Sequence, residues 1–147
     1  MAEDKFGFDE ILKKLKQTQR SVMVQLSNQA QNYFVKSFTK QGFNGVEWDN
    51  VQRRMQGYKA YKYPRARSRT NPILVETGTL RRAVSAMNRT AEITDDRLRM
   101  VVDLPYAARH NEGLKGMPKR QFVGQTDELT QMQTDKIREI VDKIWQR

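Results

Sequence analysis

The chain contains no cysteine and a single histidine, His110. Without thiols there is no disulfide framework, no thiolate nucleophile and no cysteine-based metal site. One imidazole excludes a multi-histidine metal site within a single chain. No apolar run approaches the roughly 20 residues that a helix needs to cross a bilayer. The opening Met1-Ala2-Glu3-Asp4-Lys5 carries acids and no apolar core, so no secretory signal is expected. A phosphate-cradling loop is missing as well. Gly113-Leu114-Lys115-Gly116 lacks the spacing and the Ser/Thr that such a loop requires. These absences point to a soluble protein made in a cytoplasm, with no cofactor, no metal and no membrane partner.

What is present is the length of one domain and a surplus of base. The 147 residues hold 27 Lys and Arg against 17 Asp and Glu, a formal charge of +10. That excess favours an acidic partner, either nucleic acid or an acidic protein surface.

Residues 8–16 place Phe8, Ile11, Leu12 and Leu15 on one helical face, with Lys13, Lys14 and Lys16 opposite. Residues 17–20 are polar and predict a break. A second helix follows over 21–40, where Met23, Leu26, Ala30, Phe34 and Phe38 recur every three or four residues. Gly42 suits the position just past its last turn. Residues 41–50 read as a turn segment, with Gly42, Asn44 and Gly45 able to take positive φ and Phe43 and Trp48 as anchors.

Between Asp49 and Glu76 there is no acid. Arg53, Arg54, Lys59, Lys62, Arg65, Arg67 and Arg69 alternate with Tyr58, Tyr61 and Tyr63. Such a segment cannot bury itself, because each charge would need a partner. It predicts a long exposed loop or hairpin over 51–72. Arg and Lys interleaved with Tyr grip phosphates and stack on bases, and are equally suited to wet protein contacts.

Thr79 to Arg82 predicts a short helical turn. Residues 84–93 and 98–103 predict two strands joined by Thr94-Asp95-Asp96-Arg97. Pro105 ends that ladder, and 106–110 predict a short helix stopped near Gly113. Gln121-Phe122-Val123 predicts one more short strand. A last helix starts at Thr126 as N-cap, with Leu129, Met132, Ile137, Ile140, Val141 and Ile144 on its buried side.

Catalysis needs a nucleophile, a base and an orienting group. His110 has Asp103 and Glu112 near it in sequence, with Thr77 and Ser85 as hydroxyls that folding could bring close, but any domain of this size offers as much. A structural histidine, hydrogen-bonded beneath a loop, is the expectation. Asp95 and Asp96 read as an exposed turn rather than a carboxylate pair. The balance favours binding and assembly over an enzyme.

Three stretches carry a family pattern. They are Ile73-Leu74-Val75-Glu76-Thr77-Gly78-Thr79-Leu80-Arg81, Pro105-Tyr106-Ala107-Ala108-Arg109-His110-Asn111-Glu112-Gly113 and Pro118-Lys119-Arg120-Gln121-Phe122-Val123-Gly124. Their ordered set resembles the tailed-phage virion morphogenesis family, which includes the tail-completion proteins of Mu-like phages. Phe38 followed by Gly45 and Trp48 is similar to the family's upstream segment, so the resemblance spans 33–145. Arg109 and the basic segment 53–69 depart from the family pattern.

The resemblance implies a non-enzymatic virion component at the head–tail junction. It implies a ring, typically a hexamer, that meets the connector or adaptor and the tail-tube or tail-terminator proteins. A closed ring needs two different patches per subunit. On this reading Arg81, Tyr106, Arg109, Glu112, Arg120 and Phe122 serve the subunit interface. Arg81, Arg109 and Arg120 would pair with Glu76 or Glu112 within or between subunits. The basic loop would reach an acidic virion protein or make non-specific contact with phage DNA in the lumen.

The expected architecture is α+β over residues 1–147 as one domain. Helices near both ends pack on a small antiparallel sheet, and the basic loop projects. The alternatives to a tail-completion role are a basic nucleic-acid-binding protein acting through 53–69 and, more remotely, a hydrolase built on His110.

Overall fold

The computed structural model describes residues 7–62, 70–94 and 96–146. Its elements run α1 (Phe8–Lys40), β1 (Gly42–Phe43), β2 (Val46–Glu47), a 3-10 turn at Gln52–Arg54, α2 (Lys59–Lys62), α3 (Thr79–Val84), a 3-10 turn at Met87–Arg89, β3 (Glu92–Ile93), β4 (Leu98–Arg99), α4 (Ala107–Glu112) and α5 (Asp127–Trp145). The class is α+β as expected, with helix dominant at 56%. The sheet component is two separate antiparallel hairpins rather than one small sheet.

Helix α1 is uninterrupted where a break was expected at 17–20. No Gly or Pro stands at those positions. The Thr18 hydroxyl donates to Lys14 O at 2.7 Å, so the polar side chain is satisfied on the helix itself. At 1.5 Å per residue the helix is about 50 Å long.

Gln41, not Gly42, takes the left-handed position after its last turn, at φ 54°. The Gln41 side chain compensates by donating to Phe38 O at 2.6 Å and accepting from Ile73 N–H. Gly42 has a different task. A Cβ there would lie 2.5 Å from Val46 O, so only glycine admits the facing strand. Asn44 and Gly45 then form the two-residue turn, both at positive φ, which matches the strand twist.

The predicted strand over 84–93 opens instead with the end of α3 at Val84 and a 3-10 turn at Met87–Arg89. Leu80, Val84 and Met87 are all buried, and their spacing of four and three is a helical period. Only Glu92–Ile93 pairs, with Leu98–Arg99. The hairpin is therefore present but short, and Thr94 N–H closes it on Arg97 O at 2.9 Å. The expected strand at 121–123 does not form.

Helix α5 begins as predicted, with Thr126 Oγ1 accepting from Leu129 N–H at 3.1 Å. Its expected buried side is shorter than predicted. Leu129 alone is buried, Met132, Ile140 and Ile144 are half-buried, and Ile137 and Val141 are exposed. The reason is the geometry of its neighbour. Gln29 Nε2 donates to Met132 O, and Tyr33, one turn further along α1, meets Thr126 and Glu128. The two helices are thus antiparallel, and both run out past the core at the same end. On α1 no described residue before Leu26 is buried.

The core gathers Ala30, Phe34 and Phe38 of α1 with Phe43, Trp48, Ile73, Leu80, Val84, Met87, Ala107, Phe122 and Leu129. Phe38 meets Trp48 edge-on and lies tilted to Phe122, each at 5.7 Å between ring centres. Phe43 and Trp48 are the anchors that the sequence indicated.

Candidate functional site

The three motif stretches converge on one cleft. Gly78, at φ 77°, starts α3. Gly113, at φ 70°, stops α4, and its missing Cβ leaves room for the Lys119 backbone 3.0 Å away. That approach brings Arg120 N–H to His110 O at 2.7 Å. The third stretch therefore lies against the second without forming a strand. Its backbone is held instead by Asn111, whose Oδ1 accepts from Phe122 N–H and Val123 N–H, both at 3.0 Å. Trp48 Nε1 donates to Gln121 O at 2.7 Å from the other side.

Arg120 is 5% exposed. Its Nε donates to Asp49 O and its Nη2 to Asn50 O, both at 2.9 Å. It makes no ion pair among the described residues, and Nη1 has no hydrogen bond there. Burial pushes its pKa down, and the Asp49 charge partly offsets that. Within the chain, these two carbonyls stand where a pairing of Arg120 with Glu76 or Glu112 was expected. Phe122 is 1% exposed and belongs to the core, so it offers no interface surface.

The walls enclose about 970 Å³, with Asp49, Arg53, Tyr58, Glu76, His110 and Arg120 among the lining. An adjoining hollow of about 210 Å³ shares Arg53, Glu76, His110 and Arg120 and reaches Thr79 and Tyr106. The His110 ring stands edge-on to Tyr106 at 6.1 Å. Its Nδ1 is buried and has no hydrogen-bond partner. Here the expectation of a hydrogen-bonded structural histidine fails. Burial, and secondly the Arg120 charge, hold the imidazole pKa below its ordinary 6.5. Among the described residues no hydroxyl bonds to this ring. No group of three or more metal-ligating side chains gathers among them either.

The basic segment is more ordered at its start than a projecting loop would be. Residues 52–54 make a 3-10 turn and 59–62 a helical turn, with Lys59 and Lys62 exposed on α2. Arg53 Nη2 donates to Pro72 O at 3.0 Å, and Arg54 Nη2 donates to Asn71 O. These two guanidinium groups tie the segment's ends together, where free phosphate-gripping groups were expected. Burial lowers the Arg53 pKa first, and the Arg54 charge lowers it further. Arg65, Arg67 and Arg69 lie outside the described residues, as does Asp95.

Arg81, Arg109 and Glu112 are exposed and make no side-chain hydrogen bond or ion pair among the described residues. Tyr106 is also exposed. The sequence did not single out Asn111 for a role. Its signal was an amide side chain in the last turn of a short helix, where such groups serve irregular backbone better than the helix. No helix among the described residues is long and apolar enough to cross a membrane. No family model, curated protein or solved structure matches the chain.

Proposed function

We propose that this chain is a non-enzymatic structural subunit of a tailed-phage virion, forming a ring at the head–tail junction that completes the tail and meets the connector. The reading begins from the ordered motif resemblance. One observation carries it further. The outer ends of α1 and α5 expose apolar side chains at one end of the molecule: Phe8, Ile11, Leu12 and Leu15 on one, Ile137, Val141 and Trp145 on the other. Leu12 is 54% exposed and Trp145 72%. Exposed apolar side chains gathered at one end of a molecule are the material of an interaction site. A second copy presents its other face to it in a ring that closes.

The motif residues support the same reading by what they spend their bonding on. Arg120, Asn111 and Gly113 hold backbone to backbone, as a scaffold that presents loops requires. The test is electron microscopy of particles assembled without this protein. Separate filled heads and finished tails are expected. Particles that join normally in its absence would remove the junction role. Light scattering of the purified chain should show a closed oligomer, six-fold if the resemblance extends that far.

A further inference from the structure

The cleft brings an open arginine donor beside a buried imidazole nitrogen that has no partner. Arg120 is a cation largely withdrawn from water: two carbonyls take Nε and Nη2, the Asp49 charge offsets part of its burial, and Nη1 is unbonded among the described residues. Beside it, the His110 imidazole has a buried Nδ1 with no partner. A charge withdrawn from water is costly in proportion as its donors go unmet, and a buried polar atom left unpaired adds to that cost. A group that accepts from Nη1 would complete the bonding of Arg120 and lie beside the imidazole.

The walls narrow its identity. Arg53 and Arg120 are matched by Asp49 and Glu76, so a doubly charged phosphate or a polyanion would be repelled by the two carboxylates. A single carboxylate brings one charge and suits the planar donors of a guanidinium. Val51, Met55, Met117 and Pro118 line the same cleft and suit the apolar stem of a side chain. The chain's +10 charge attracts acidic protein surfaces to begin with.

We propose that this cleft is the docking site for one glutamate or aspartate side chain of a partner protein, whose carboxylate takes the open Nη1 donors of Arg120 and lies against the His110 ring. The proposal rests on the assembly reading, which supplies a protein partner, and gives that partner its chemistry. The cleft lies among the motif loops, so the docking is a second contact besides the apolar helix ends.

Because His110 is the only imidazole, its ring resonances report on the cleft alone. The full chain is titrated with a capped pentapeptide Ala-Leu-Glu-Ala-Gly, with its glutamine counterpart, and with inorganic phosphate. The glutamate peptide should move the His110 signals saturably. The glutamine peptide should bind about tenfold more weakly, the difference a charge-assisted bond makes. Arg120→Gln should abolish the response. Should that variant fail to fold, Glu76→Gln carries the test, since removing wall repulsion should tighten the glutamate peptide by roughly two- to threefold. Equal binding of the two peptides, static His110 signals, weaker binding to Glu76→Gln, or phosphate binding tighter than the glutamate peptide would each overturn the proposal. Ring formation is scored separately on the same preparation. Loss of the ring with peptide binding intact counts against the assembly reading alone.

Discussion

Asn111 shows how much one short side chain can hold. Its Oδ1 is shared by two backbone N–H groups of the stretch that carries Phe122 into the core. Asn111→Ala leaves both donors without that acceptor. A loss of about 2–3 kcal/mol is expected, since each unmet backbone donor costs of the order of one or more. A urea titration reads it directly, and Asn111→Asp should recover part of it. His110 offers a pH readout. Its folded pKa lies below 6.5, chiefly through burial and then through Arg120, with Arg53, Asp49 and Glu76 also in the cleft walls. Above pH 6.5 the imidazole is neutral in both states and contributes nothing. As pH falls through 6.5 the unfolded chain takes up the proton first, so stability declines until the folded pKa is passed. The urea midpoint should drop between pH 7.5 and pH 5.5, and His110→Gln should flatten that part of the profile. An unchanged slope in the variant would assign the decline to other groups.

At the scale of elements, the continuity of α1 and the reach of α5 matter most. Gln17→Pro tests the first. A proline inside a helix costs about 3 kcal/mol locally. With residues 8–16 outside the core, it should remove their share of the helical signal at 222 nm while the core's melting temperature barely moves. A variant with undiminished ellipticity would mean that the chain already breaks there. The start of α5 is stronger than a lone cap. Thr126 accepts from Leu129 N–H and donates to Tyr33 of α1, which in turn donates to Glu128. Burial, the first cause, and the Glu128 charge both raise the Tyr33 pKa. Thr126→Ala should cost about 1–2 kcal/mol by thermal melting, with Thr126→Ser close to the native chain.

For the whole molecule, the central question is what covers the apolar ends of α1 and α5. Leu12→Glu with Leu15→Glu places two charges on that surface without touching the core. Stability should stay within about 0.5 kcal/mol, as for other surface changes. The proposed oligomer, followed by light scattering, should dissociate at a protein concentration at least tenfold higher than for the native chain. An oligomer of unchanged strength would free these helix ends from the interface. The surface ion pairs of the same region, from half-buried Lys136 and exposed Lys143 to Glu139, add little to the fold.

The sequence by itself determined the features whose causes lie within a few residues. Thr126 caps α5 because its hydroxyl meets an N–H three residues on. Asn44-Gly45 turns because both positions tolerate positive φ, and Gly113 ends α4 for the same reason. The periodic Leu26, Ala30, Phe34 and Phe38 marked the buried face of α1, and the same period carries the expected helical turn at Leu80 on to Val84 and Met87, which read as the start of a strand. The tertiary structure decided what depends on distant partners. Arg120 is buried because carbonyls some 70 residues away accept its donors. Arg53 and Arg54 close their segment on Asn71 and Pro72 instead of projecting. The apolar faces of α1 and α5 are read from sequence as buried, yet only the inner turns of each find cover. Periodicity records which side of a helix is apolar. Where the core ends is set by how the elements meet.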